Sequence, residues 1–184
     1  MKKLLFLSVC ILALNNLCSA QSFAALDKSP MDRAYFPNNF AHDRKPGEKA
    51  IIRVTYSRPQ MSGREIMGKL VPYGKVWRAG ANEATEVKFY RDVELAGKQV
   101  KAGTYSLFTI PGEKEWTIIL SSDLDYWGAY SYKEANDVLR VIGTTAPLDS
   151  VVESFTIQFD KKNDNQGIMK LAWDKTVVNV PFKY

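Results

Sequence analysis

Ser154-Phe155-Thr156-Ile157-Gln158-Phe159-Asp160 alternates polar residues with large apolar ones. Side chains along a β-strand point to opposite faces with a period of two. The stretch therefore predicts a strand with Phe155, Ile157 and Phe159 on a buried face and Ser154, Thr156 and Gln158 on the other. Working outward, residues 50–57 place Ile52, Val54 and Tyr56 on one face, and residues 86–91 do the same with Val87 and Phe89. Turn chemistry separates the runs. Ala96-Gly97-Lys98 joins Val93-Glu94-Leu95 to Gln99-Val100, and Pro111-Gly112 ends the run 104–110 before residues 116–121 return. Asn163-Asp164-Asn165-Gln166-Gly167 predicts a last hairpin, leading into residues 169–173 and 176–182. Roughly eight to ten short strands at this spacing specify an all-β fold, a single β-sandwich or jelly-roll-like domain. Residues 131–139 are too short for a stable helix and read as a loop.

The chain begins Met1-Lys2-Lys3, continues with an apolar run through Leu14 and reaches Ser19-Ala20 before Gln21. A basic start, a short apolar centre and a small-residue end predict a signal peptide over residues 1–20, cut between Ala20 and Gln21. A lipid anchor on Cys18 is the competing reading, but Asn15-Asn16-Leu17 lacks the leucine and small residues of a lipoprotein processing site. Residues 21–49, interrupted by Pro30, Pro37 and Pro46, read as an irregular N-terminal arm, with Met31, Tyr35, Phe36 and Phe40 available to pin it to the domain. Residues 50–184 form the β-domain. Both cysteines, Cys10 and Cys18, fall in the signal segment, so the exported chain is expected to have no disulfide and to rely on packing. About 160 residues suffice for that.

The formal charge is +5 and falls to +3 once Lys2 and Lys3 are removed. Basic and acidic residues are interleaved without a like-charge run, which argues against a nucleic-acid partner. No segment after residue 20 approaches the length of apolar sequence that a membrane-spanning helix needs. The expected location is periplasmic or extracellular.

Three phrases carry a family resemblance. They are Tyr56-Ser57-Arg58-Pro59, the string Val71-Pro72-Tyr73-Gly74-Lys75-Val76-Trp77-Arg78-Ala79-Gly80-Ala81-Asn82-Glu83-Ala84-Thr85, and Ala102-Gly103-Thr104-Tyr105-Ser106-Leu107-Phe108-Thr109-Ile110-Pro111-Gly112. With Trp127-Gly128-Ala129-Tyr130 and Trp173-Asp174, the chain resembles the domain of unknown function 2911 over nearly all of its exported part. The resemblance implies an exported domain of Gram-negative bacteria of the Bacteroides type and attaches no activity.

Candidate site residues must come from side-chain chemistry. Around Gly80, Arg78 offers a planar donor fork, Asn82 a donor and an acceptor, and Glu83 an acceptor, next to Trp77. This set is expected either to clamp a polar ligand or to brace the loop through an Arg78–Glu83 pair. Tyr126, Trp127, Tyr130 and Tyr132 form an aromatic group, with Trp127 and Tyr130 as candidates to stack on sugar rings and core cover as the alternative. The sole histidine, His42, has no second His or Cys beside it, so no catalytic His triad, zinc site or cofactor is expected. Ser57 and Ser106 lie in strand patterns and not in a nucleophile elbow. Asp160, Asn163, Asp164 and Asn165 lack the spacing of a calcium-binding EF-hand and fit a turn.

The sequence thus predicts a non-catalytic binder of a glycan, an envelope polymer or a protein partner. Two alternatives stand beside it. One is a carboxylate-dependent polysaccharide hydrolase drawing on Glu83, Glu86, Asp123 or Asp125. The other is an envelope assembly protein docking through the arm or a sheet edge. Mass spectrometry of the exported protein should find Gln21 at the N-terminus; a lipid-modified Cys18 would show the anchored alternative.

Overall fold

The computed structural model describes residues 23–184. The signal segment, both cysteines and the Ala20–Gln21 cleavage position lie outside the described residues. As the alternation predicts, the domain is nearly all β, and its nine strands form one antiparallel sheet. In chain order these are β1 (Met31–Phe36), β2 (Ile52–Ser57), β3 (Thr85–Phe89), β4 (Val93–Leu95), β5 (Lys98–Val100), β6 (Gly103–Ile110), β7 (Glu115–Ser121), β8 (Asp137–Asn163) and β9 (Gln166–Lys183). Across the sheet the order is β1-β2-β3-β6-β7-β8-β9-β4-β5. A four-residue helix, α1 (Phe40–Asp43), follows β1. No helix among the described residues is long and apolar enough to cross a membrane.

Three elements depart from the sequence reading. The arm contains β1, which pairs with β2 from Met31↔Ser57 to Phe36↔Ile52. Only Phe36 of its large side chains is buried, so a short edge strand with a single anchor left little alternation to detect. The region read as a loop at 131–139 is a 3₁₀ turn (Glu134–Asn136) followed directly by β8. The segments 169–173 and 176–182 belong to one strand, interrupted at Asp174, whose φ of 55° marks an irregularity.

The long β8–β9 hairpin gives the sheet its shape. Near Thr144, β8 pairs with β7 on one side and β9 on the other; beyond it β7 ends while β8 and β9 continue to the hairpin turn at 163–166. Register slips between Pro147 and Thr156 interrupt that ladder, and such irregularities bend a strand. The two ends of the sheet then meet face to face, so the two layers of the expected sandwich are halves of one continuous sheet. Phe36 packs against Phe159 and Phe182 with ring centroids 6.0 and 4.9 Å apart, and Tyr56 packs on Phe155 at 5.8 Å. Val54, Val87, Leu107, Ile118, Leu171 and Val180 fill the space between.

Beyond β7, the outer edge of β8 lacks a neighbouring strand, and the chain satisfies it with side chains and a loop. The Tyr56 hydroxyl accepts from Ile157 N–H at 3.0 Å and donates to Ile157 C=O at 3.3 Å, which reproduces what a paired residue would do. Arg58 Nε donates to Phe155 C=O, while its two Nη atoms reach Asp32 and Thr156. Asn38 donates to Phe159 C=O, and Phe155 N–H donates to Pro59 C=O. Unmet backbone groups in a buried strand are costly, so this seam holds the curled sheet closed. Replacing Tyr56 by Phe removes both bonds while keeping the ring. Urea denaturation should show a loss of about 1–3 kcal/mol for Tyr56→Phe. An unchanged midpoint would mean that the seam contributes nothing to stability.

Candidate functional site

The loop between β2 and β3, residues 58–84, crosses one end of the sheet and carries most of the predicted site. Trp77 anchors it. Its backbone exchanges hydrogen bonds with Thr109, at 2.7 and 2.8 Å, and its ring lies 6.0 Å from Trp173 in a stacked pair and 5.1 Å from Phe155. At 8% exposure Trp77 belongs to the core, and a ligand could reach only its edge. The chain then reverses sharply: Ala79 and Asn82 take φ values of 52° and 58°, and Thr85 closes the turn by donating its N–H to Arg78 C=O. Gly80 is required here, because a Cβ at this position would stand 3.0 Å from Ser57 O.

A second loop, residues 122–133, lies against this turn. Ala84 N–H donates to Tyr126 C=O, Gly128 N–H donates to Asn82 C=O, and Glu83 bridges Trp127 in antiparallel fashion. These contacts make a short ladder on top of the sheet. The aromatic group divides across it. Tyr126 and Tyr132 pack on Phe108 and cover a small second core with Ile119, as the cover reading expects. Trp127 and Tyr130 do not; they are 63% and 87% exposed. Gly128, at φ +70°, lets Tyr130 fold back closely over it.

The trio of Arg78, Asn82 and Glu83 does not assemble. No Arg78–Glu83 pair forms, because the reversal at residues 79–82 sends the two side chains to different flanks of the ladder. Arg78 lines a cavity of about 200 Å³ with Pro59, Arg64, Leu70, Gly80 and Trp173, and no carboxylate among the described residues lines it. Its Nε is buried and has no hydrogen-bond partner among the described residues. Burial holds the guanidinium pKa below its ordinary value, and the nearby Tyr130 acts in the opposite sense. Arg64 beside it is already occupied, donating to Met61 C=O and Gln60 C=O. Asn82 contributes mainly its backbone. Glu83 is exposed at a different cleft, together with Glu86 and Asp125.

Of the other sequence candidates, His42 is exposed and paired with Asp43 on α1. Asp160 pairs with Lys170 and Asp164 with Lys161, while Asn163 caps the hairpin turn by accepting from Asn165 N–H. Among the described residues no cluster of His, Cys, Asp and Glu is placed to hold a metal ion. Asp123 is bound by the Tyr126 hydroxyl and the Asn136 amide.

These observations can be compared with known proteins. A family model described as "Protein of unknown function (DUF2911)" matches residues 38–182. The chain belongs to that family. No curated protein and no solved structure matches it. In this DUF2911 domain the family match spans the seam, the ladder and both flanks, and starts after β1.

A structural network supports the ladder from behind. The Tyr132 hydroxyl donates to Asp137, whose same oxygen accepts from Arg140 Nε at 2.6 Å, and Arg140 also reaches Glu134 at 3.2 Å. Burial, followed by the bond to Asp137, pushes the Tyr132 phenol up to about 12 from the usual 10.0. The neutral phenol is thus favoured in the folded state. Its stabilising contribution is complete below pH 10 and is lost as pH rises through about 12. Spectrophotometric titration of the tyrosines should therefore show a late ionisation near that value, and Tyr132→Phe should remove it. A late step that survives in the variant would assign it to another ring.

Proposed function

We propose that this domain works outside the cytoplasm as a non-catalytic binding module for an acidic glycan or similar envelope polymer, held at the Arg78 flank of the ladder. The observation that carries the reading is Arg78 itself. Its Nε is buried without a partner, and no carboxylate among the described residues lines its cavity, so at that atom hydration has been lost and no protein acceptor gained. A buried N–H donor in that state is unfavourable unless a ligand supplies the acceptor. A carboxylate matches the planar donor fork in a bidentate pair. Trp127 and Tyr130, exposed on the adjoining loop, offer flat faces with polar edges, which suit sugar rings better than extended apolar chains.

A binding role and a bracing one predict different outcomes for Arg78. A brace would have its acceptor within the protein, and removing it would destabilise the fold. For an unpartnered Arg78, the expected result is that Arg78→Met keeps or raises the melting temperature while abolishing binding of oligogalacturonate. Wild-type protein at a hundredfold the dissociation constant should gain about 2.7 kcal/mol from that ligand. Trp127→Ala should weaken binding, and neutral glucans should bind less well than acidic ones. A variant that melts several degrees earlier, or that still binds, would overturn the reading. The hydrolase alternative would draw on Glu83 with Glu86 or Asp125 across the ladder; release of new reducing ends from the same oligomers would favour it.

A further inference from the structure

The other flank of the ladder has the opposite chemistry. Strand register puts Thr55 beside Glu86 and Glu86 beside Ser106, so these three side chains form a polar row on the outer face of β2, β3 and β6. Ser57, two residues along from Thr55, joins the same face opposite Met31. The ladder places Glu83 and Asp125 at the rim, and Met31, Ala84 and Tyr126 add apolar wall to a cleft of about 190 Å³. Among the described residues no Lys or Arg lines it. Glu86 meets Arg53 at 3.6 Å, while Glu83 and Asp125 form no ion pair among the described residues.

Carboxylates on a surface are commonly just solvated, and they would not by themselves define a site. The floor of this cleft adds an independent feature. Ser57 and Ser106 are each only 3% exposed, and both line the cleft. No hydrogen bond from either hydroxyl is formed within the described residues. Hydroxyls that line the cleft floor without a protein partner are expected to be satisfied by whatever occupies the cleft. They can accept as well as donate, and the carboxylates above them only accept.

We infer that this cleft is a binding site for a primary ammonium group on a short apolar stem. An ammonium has three donors and no acceptor, which matches a set of rim carboxylates and floor hydroxyls. The Met31, Ala84 and Tyr126 walls suit the methylene groups behind it. A metal ion fits less well, because Glu83, Glu86 and Asp125 are not grouped as a metal-holding cluster. The site is separate from the Arg78 cavity and takes a ligand of opposite charge, so each can fail without the other.

The probe is 1,5-diaminopentane, titrated into the exported protein while amide chemical shifts are followed by NMR, with 1,5-pentanediol as the uncharged control. Saturable shifts confined to the Ser57, Glu83, Ser106 and Asp125 regions, absent with the diol, are expected. Glu83→Gln combined with Asp125→Asn should weaken the diamine at least tenfold. Both positions are exposed, and asparagine tolerates the φ of 62° at Asp125, so this variant should fold. Ser106→Ala should weaken it further, and Arg78→Met should leave it unchanged. Equal shifts with the diol, unaltered affinity in the double variant, or displacement of the diamine by equimolar calcium would each overturn the inference.

Discussion

A strand that outruns its neighbour leaves backbone groups with nowhere to go, and β8 does so once β7 has ended. Water could satisfy that edge only if the edge stayed open. In this domain the other end of the sheet curls over and supplies the partners instead, through the Tyr56 hydroxyl, the Arg58 guanidinium, the Asn38 amide and the Pro59 carbonyl. The seam brings the end of β2 against β8, and so determines where the loop 58–84 begins. Because the loop starts there and must end in β3, its middle has to pass over the aromatic end of the core. Trp77 is drawn in against Trp173 and Phe155 as a consequence.

Once Trp77 is fixed, the geometry of the site follows from a tight reversal. Arg78 leaves the core on one flank, and the left-handed residues Ala79 and Asn82 turn the chain back, so that Glu83 emerges on the other. Pairing with residues 126–128 makes the reversal rigid. The ladder therefore separates charge: among the described residues, two arginines and no carboxylate line the cavity on one side, and three carboxylates and no Lys or Arg line the cleft on the other. Opposite charges that are neighbours in sequence are kept from neutralising one another. That separation leaves Arg78 Nε without a partner among the described residues.

Polar atoms without partners are not confined to these flanks. Trp116 Nε1 and Thr109 Oγ1 are also buried without hydrogen bonds, in the layer beneath Trp77. The edge-to-face packing of Trp77 on Trp116, with ring centroids 6.0 Å apart, offsets their cost. In the Tyr132–Asp137–Arg140 network a single Asp137 oxygen, Oδ2, accepts from both neighbours and helps to hold the loop 122–133 in place, while Oδ1 is buried without a partner among the described residues.

The sequence by itself determined the secondary structure wherever one face of a strand is buried, because a period of two records burial directly. Ile52-Val54-Tyr56, Val87-Phe89 and Phe155-Ile157-Phe159 were legible for that reason, as were the Gly- and Asn-bearing hairpins. β1 was not, since an edge strand anchored by Phe36 alone leaves a weak alternation among prolines. Of the candidate site, the sequence marked the loops and the residue types they carry, but it could not say that Trp77 is core, that Trp127 and Tyr130 are exposed while Tyr126 and Tyr132 are covered, or that Arg78 and Glu83 part company. Only the tertiary structure decided those points. Whether a ring or a charge meets solvent depends on which distant strand lies beneath it and on the sign of φ at two turn residues, and neither is written in the local pattern of side chains.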